Sequence, residues 1–116
     1  SDVYKRQELE PSMASIQRMK LQSAAHTEET VFTVKTENNN LVFYFGDHST
    51  HAGSFDFAKG ITGELKHSWS WPVAQVQSIL GLDGKLTMKI SDQGAMQITV
   101  DSGMVTYNYI LPAQSK

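Results

Sequence analysis

The order of predicted elements repeats along the chain, and this repeat constrains the fold more than any other feature. Helical patterns lie over 11–25 and 72–80. Each precedes three strand patterns, recognised by alternating apolar and polar residues or by β-branched and aromatic residues. The strand patterns lie at 30–36, 41–45, 53–59, 65–71, 85–91, 96–101 and 105–111.

The predicted order is therefore α-β-β-β followed by β-α-β-β-β, so the first unit lacks its leading strand. Two βαβββ units of this kind predict one α+β domain over 8–116, with both helices on the same side of antiparallel sheet. The length of 116 residues also fits one domain.

Periodicity and capping residues predict how the helices lie. In the first helix, Met13, Ile16 and Met19 form one stripe. The opposite side carries Ala14, Ser15, Arg18 and Gln22. Capping preferences predict Ser12 as an N-cap, Pro72 as the first residue of the second helix and Gly81 as its stop.

The first seven residues, SDVYKRQ, are set aside from the fold prediction. They resemble the translated adapter remnant found in some metagenomic assemblies, and they lie where the missing strand is expected. We therefore expect 1–7 to be a non-native leader on a truncated fragment. A short disordered terminus is the alternative.

Charge and composition exclude several classes of protein. The net charge of −2 excludes a nucleic-acid binder that works by global attraction, although a local basic patch is compatible with it. The chain has no cysteine, so disulfides and thiolate metal sites are excluded. No apolar run approaches the ~20 residues of a membrane span, so no membrane partner is expected.

Catalytic and metal-binding patterns are weak. The run 81–85 superficially resembles a phosphate loop, but its spacing is too short and no Ser or Thr follows Lys85. His48 and His51, beside Asp47, are too few ligands for a structural zinc site and are interpreted as a solvated loop. Base stacking by Trp69 and Trp71 is the less favoured alternative to packing. We expect neither enzyme activity nor a metal or cofactor.

Four consecutive segments of the second unit carry a resemblance to a known family. They are WPVAQVQSIL (71–80), GKLTMKIS (84–91), GAMQITV (94–100) and VTYNYILPA (105–113). Their order resembles the end of the DNA polymerase sliding clamps, a family that includes proliferating cell nuclear antigen and the trimeric clamps of T-even-type bacteriophages. The resemblance implies the C-terminal domain of a two-domain subunit. Three such subunits would form a ring around duplex DNA, with helices lining the hole.

The resemblance also implies partners and sites. The partners would be duplex DNA bound without sequence preference, a DNA polymerase, a clamp loader and two further copies in a homotrimer. If the protein is viral, it would act in the cytoplasm of an infected bacterium. DNA would face Ser15, Arg18, Lys20, Gln22, Gln75, Gln77 and Ser78. The subunit interface would include Phe55, Asp56 and Phe57. A groove for partner peptides would include Tyr109, Ile110, Leu111, Pro112 and Ala113.

Two other functions are compatible with the sequence. A β-rich virion or structural protein could share the repeat and assemble through edge strands, without a preceding domain of the same kind. An enzyme or ligand-binding domain would instead need a pocket with convergent polar groups and shifted pKa values.

The second helix offers only Gln and Ser where clamps usually carry Lys and Arg, which predicts weak contact with DNA.

Overall fold

The computed structural model describes residues 6–46, 53–61 and 63–114, without the side chains of Arg6 and Gln7. Within these residues the fold is α+β with two helices and antiparallel pairing, as predicted, and the strands form two sheets. The elements are β1 Arg6–Leu9, α1 Met13–Ala25, β2 Val31–Glu37, β3 Asn40–Phe45, β4 Ser54–Ala58, β5 Trp69–Pro72, α2 Val73–Leu80, β6 Lys85–Ser91, β7 Ala95–Asp101 and β8 Thr106–Pro112.

The two sheets have matching strand orders. One is β1-β6-β7-β8 and the other is β4-β3-β2-β5, where neighbours are hydrogen-bonded. Each sheet contains three consecutive strands and one strand that precedes the other helix: β1 pairs with β6, and β5 pairs with β2. The strands that follow each helix are thus completed by a strand from the other half of the chain.

Strand β1 corrects the expectation that the leading strand is missing. It pairs Glu8 with Lys89 and Leu9 with Met88, and it begins inside the segment 1–7 that was set aside. Its sequence, RQEL, has little strand character of its own, so its pairing with β6 defines it. An ion pair of 3.6 Å between Lys89 Nζ and Glu8 Oε2 lies across the same strands.

One continuous core fills the space between the elements. The residues that the first half of the chain contributes to this core are largely aromatic. The rings of Phe43 and Phe57 stack at 4.1 Å with an interplanar angle of 8°. The residues that the second half of the chain contributes are mainly aliphatic residues and methionines, among them Met88, Ile98 and Leu111. Aromatic stacking and apolar burial at this scale are the main source of stability in a domain of this size.

Polar contacts decide which face of α1 lies inward. The predicted N-cap is confirmed, since the Ser12 hydroxyl accepts from the Ser15 amide at 3.0 Å. Met19 is fully buried as predicted, but Met13 is 73% exposed, so this part of the predicted stripe is wrong. The Ser15 hydroxyl instead donates to the Phe57 carbonyl oxygen at 2.6 Å. Because α1 has apolar residues on several sides, periodicity alone did not select this face.

The start and end of α2 differ slightly from prediction. Pro72 is the N-cap rather than the first helical residue, and the Val73 amide donates to the Thr30 carbonyl oxygen at 3.0 Å. Gly81 is the C-cap, as predicted. The helix packs Val73, Val76, Ile79 and Leu80 into the core.

The segment after β8 joins the two sheets. The Trp71 indole Nε1 donates to the Leu111 carbonyl oxygen at 2.9 Å, and Trp71 is fully buried. The Gln114 amide donates to the Ser70 carbonyl oxygen at 2.8 Å. These bonds link β5 of one sheet to the end of β8 in the other. They support packing, the favoured interpretation of Trp71.

Asp92 explains why β5 is shorter than the strand predicted at 65–71. Its carboxylate accepts from the amides of Lys66 and His67 at 3.1 and 3.2 Å, and from Trp69 Nε1 at 3.4 Å. Residues 66 and 67 therefore bond a side chain on the β6–β7 turn. Regular pairing begins only at Trp69.

The Asp92 carboxylate is predicted to make stability depend on pH. Burial alone raises the pKa of Asp92, but the donors from Lys66, His67 and Trp69 lower it below the ordinary value of 3.8 in net. A lowered pKa in the folded state contributes stability above pH 3.8, and this contribution is lost as the pH falls through the folded-state pKa. Asp92→Ala should therefore reduce the free energy of unfolding near neutral pH by about 1–3 kcal/mol.

Urea unfolding followed by tryptophan fluorescence across a pH series checks this prediction. The difference between wild type and Asp92→Ala should shrink in acid, where both proteins lack the carboxylate charge. Asp83→Ala, which removes an exposed carboxylate from the α2–β6 turn, is the control and should show little difference at any pH. A wild-type advantage that stays constant into strong acid would contradict the assignment.

Candidate functional site

The two helices form one surface, here called the helix layer. They lie side by side, and the Ser23 hydroxyl donates to Gln77 Oε1 at 2.8 Å between them. A hollow of about 600 Å³ lies between the helices, where Lys20 and the hydroxyl groups of Ser23 and Ser78 are joined by Glu29, which follows α1. The hollow therefore offers one positive charge, one carboxylate and neutral hydrogen-bonding groups.

The predicted DNA-facing residues divide into two groups on this layer. Arg18, Lys20, Gln75 and Ser78 are exposed, whereas Ser15, Gln22 and Gln77 are half-buried. Sequence reasoning missed Gln17, which is exposed. Helical geometry puts Gln17 on the same face as Leu21, four residues later. Gln17 lies on the side of α1 opposite buried Met19. The sequence signal was therefore present, but placing Met13 in the buried stripe obscured it.

Charge is distributed unevenly between the helix layer and the rest of the chain. The two helices contain the basic residues Arg18 and Lys20 and no acidic residue. Of the whole chain's 10 basic and 12 acidic residues, all the acidic ones therefore lie outside the helices. The two helices are locally positive on a chain whose net charge is −2, and Glu29 beside the hollow offsets part of this charge. Such a surface attracts polyanions weakly and over a short range, because salt screens beyond ~10 Å.

Arg18 also has a packing contact within the chain. Its guanidinium carbon lies 5.8 Å from the centre of the Phe55 ring, within the range of a cation–π contact. Together with the Ser15–Phe57 hydrogen bond, this contact attaches α1 to β4. Lys20 lies on the side of α1 that faces α2, beside the hollow.

Strand β4 includes the residues predicted for the subunit interface. It is an edge of its sheet within the described residues. The side chains of Phe55 and Phe57 are buried in the core, and only Asp56 is exposed. A contact with another subunit would therefore involve the strand's backbone and Asp56 rather than the two aromatic rings.

The predicted peptide groove has an alternating structure. Leu111 is buried and Tyr109 and Ala113 are half-buried, whereas Ile110 and Pro112 are exposed on the other face of β8. Ile110 is 68% exposed, a large fraction for an isoleucine in a strand. The segment thus completes the core with one set of side chains and presents an apolar surface with the other.

Titration and metal ligation do not indicate reaction chemistry in the described part of the chain. Its two groups with shifted pKa values are Asp92 and Tyr44. Burial, then a hydrogen bond to Glu37, raises the pKa of Tyr44. Neither group lines the hollow between the helices. No cluster of three metal-ligating side chains occurs among the described residues. Asp47, His48 and His51 lie outside them.

Comparisons with known proteins assign no family. No protein-family model, curated protein or solved structure matches the chain significantly. The sliding-clamp resemblance therefore stays a prediction from the sequence. None of the helices in the described residues is long and apolar enough to cross a membrane.

The alternation along β8 predicts different stability effects for neighbouring residues. Leu111→Ala should lower the free energy of unfolding by about 2–5 kcal/mol, because it removes buried methyl groups from a packed core. Ile110→Ala should change it by no more than about 0.5 kcal/mol. Equilibrium urea unfolding of both variants measures the difference. Equal losses would mean that Ile110 is covered within the folded chain.

Proposed function

We propose that this chain is a sliding-clamp domain of a DNA polymerase processivity factor, which encircles duplex DNA and tethers the polymerase. The observation that carries the proposal is the helix layer. Its two helices have basic and neutral residues and no acidic ones, and Glu29 is the one carboxylate among the described residues that line the hollow between them. A surface with this charge can face phosphates from any sequence without reading the bases.

The low charge of the layer is consistent with sliding. Each phosphate neutralised by Lys or Arg adds affinity that depends steeply on salt, so many such contacts would hold a protein in one place. Arg18 and Lys20 provide few contacts, and Gln75 and Ser78 can reach phosphates through water. A closed ring does not need tight binding, because its topology keeps it on the duplex.

The sheets support the same proposal through their free edges. A ring of similar domains needs open strands at both ends of each domain, and β4 and β8 are edges within the described residues. In the proposed trimer β4 meets the neighbouring subunit, and β8 meets a first domain of the same type. Strand β4 is short and carries Asp56, so this contact is limited in length.

Ile110 and Pro112 are the residues proposed to contact peptides from the polymerase and the clamp loader. They are exposed, apolar and adjacent to polar Gln114. Leu111 and Ala113 support them from beneath, since the carbonyl of Leu111 and the amide of Ala113 are both bonded within the chain. An apolar ledge on a rigid strand end is a common form of peptide-binding surface.

A structural or virion protein is the second candidate. The observation that favours it is β8, whose seven residues, TYNYILP, carry no charge that would discourage strand addition. Such a protein would assemble through its edges, and its helix layer would have no need of contact with DNA. The uninterrupted gene upstream of Glu8 separates the candidates, because a clamp requires a preceding domain with the same element order.

Charge reversal on the helix layer provides a direct test of DNA contact. Amide chemical-shift mapping with a short duplex at low salt should show changes confined to α1 and α2, independent of the DNA sequence. Arg18→Glu with Lys20→Glu should abolish these changes, since both phosphate-attracting charges are reversed. In the full-length subunit the same pair should reduce processivity, most strongly at low salt.

Lys59→Glu with Lys66→Glu is the matched control, because it makes the same change in charge at exposed residues outside the helices. It should leave the shifts on α1 and α2 almost unchanged. If both double variants weaken the shifts equally, the chain responds to net charge alone. If DNA perturbs other surfaces, the helix layer is not the interface.

A further inference from the structure

Strand β8 is an unprotected edge of the described structure. It is bonded to β7 on one side and is terminal in its sheet. Four apolar side chains in and beside it are exposed: Met104 by 94%, Val105 by 48%, Tyr107 by 50% and Ile110 by 68%. Edge strands of soluble proteins usually carry a charge, a bulge or a covering segment that prevents further pairing. The sequence of β8 contains no charged residue.

Strand β4, at the edge of the other sheet, has the protection that β8 lacks. Its register with β3 shifts, so Leu41 opposes Ala58 and Val42 opposes Asp56. This bulge leaves Phe57 as the extra residue, and its carbonyl oxygen accepts from Ser15 Oγ. The exposed carboxylate of Asp56 adds a charge to the same edge. Strand addition is thus discouraged at β4 and unopposed at β8.

The hydrogen bonds at both ends of β8 show which backbone groups face outward. The Ser102 amide donates to the Val105 carbonyl oxygen, and the Ala113 amide donates to the Gly94 carbonyl oxygen. In an antiparallel ladder, bonded and non-bonded pairs alternate. Tyr107, Tyr109 and Leu111 therefore bond to β7. The amides and carbonyls of the intervening residues, Thr106, Asn108 and Ile110, point away from the sheet.

Pro112 supports this assignment. Pro112 lies opposite Ala95, at a position whose backbone groups face away from β7. Proline has no N–H, so at this position no hydrogen bond between β7 and β8 is lost. The outward-facing donors at the free edge are consequently Thr106, Asn108 and Ile110. Water can hydrate these groups one by one, whereas another extended strand can bond the whole row, because its donors and acceptors repeat at the spacing of a β-ladder.

We propose that β8 pairs with β8 of a second copy of this chain, antiparallel and with the two-fold axis at Asn108. In this register Asn108 opposes Asn108 of the second copy, and Thr106 opposes Ile110 of the second copy. All of these residues direct their backbone groups outward, so both pairs form complete hydrogen-bonded pairs. The two four-stranded sheets then become one continuous sheet across the dimer.

The side chains of β8 are complementary to themselves in the same register. Tyr107 opposes Tyr109 of the second copy in a non-hydrogen-bonded pair, where side chains approach most closely. Within one chain these two rings already lie 6.4 Å apart, so four tyrosines meet at the centre. Met104 and Val105 meet Pro112 and Leu111 of the second copy. The exposed apolar residues of β8 thus acquire uncharged partners.

A second copy fits the edge better than a charged partner would. No side chain of β8 offers an ion pair, and a charged strand would lose its hydration without compensation. The inference does not depend on the proposed function, because it concerns the chain on its own. In a clamp subunit, a first domain paired with β8 would compete with this dimer.

Sedimentation equilibrium over a concentration series tests the pairing. Wild type should approach twice the chain mass of 12.9 kDa. Asn108→Pro should remain at 12.9 kDa, because it removes an outward-facing donor while the bonds to β7 stay intact. Asn108→Ala is the matched control: it removes the same side chain, keeps the N–H and should still dimerise.

A second pair of variants tests the same edge through charge. Ile110→Lys places a charge at an exposed position of the pair and should also give a monomer, and its far-UV circular dichroism should show that the monomer is folded. Leu21→Lys places the same charge on another exposed apolar residue, in α1, and should dimerise like wild type. A monomeric wild type at its highest soluble concentration, a dimeric Asn108→Pro or masses well above the dimer would overturn the proposal.

Cysteine cross-linking tests the register, since the chain has no cysteine of its own. A mixture of Tyr107→Cys and Tyr109→Cys should form a disulfide-linked dimer on mild oxidation, because opposed residues in a non-hydrogen-bonded pair lie within disulfide range. Each variant alone should form far less. Efficient linkage of Tyr109→Cys alone would move the two-fold axis to Tyr109 and contradict the register at Asn108.

Discussion

The exchange of strands between the two halves of the chain is the constraint on which the rest of the structure depends. Strand β5 completes the sheet that follows α1, and β1 completes the sheet that follows α2. The Trp71 indole then donates from β5 to the end of β8, and its ring is fully buried in the common core. Neither half can bury its sheet alone, so the chain should fold as one cooperative unit.

This exchange also places the helices side by side and leaves four strands terminal in their sheets, β1 and β8 in one and β4 and β5 in the other. Side-chain hydrogen bonds attach α1 to its neighbours, from Ser15 to β4 and from Ser23 to α2. The sides of α1 that carry Arg18 and Lys20 therefore remain on the outer surface. A locally positive layer and open sheet edges are what a ring-shaped DNA clamp requires of each domain. Open sheet edges are equally compatible with a structural protein that assembles through its strands. The charge of the helix layer is therefore the feature that distinguishes the clamp from a structural protein.

Strands β4 and β8 are not equivalent as edges, and the difference arises from one extra residue and one charge in β4. The bulge at Phe57 directs a carbonyl toward α1 and shortens the part of β4 that can pair. Strand β8 has regular register along its whole length and no charge. Association through β8 is thus favoured by the backbone, while association through β4 needs a partner that accommodates Asp56 and the bulge.

The sequence by itself determined the α+β class, the positions of both helices and most of the strands, and the Ser12 and Gly81 caps. These features depend on local periodicity, turn residues and capping, which act over a few neighbouring positions. Tertiary structure alone decided four others. Polar β1 exists because β6 pairs with it, and β5 begins at Trp69 because Asp92 takes the preceding amides. Met13 lies outside because Ser15 turns α1 toward β4, and Phe55 and Phe57 point into the core instead of toward a neighbour. Each of these outcomes depends on a contact between residues far apart in the chain, and no local pattern records which distant partner will be present.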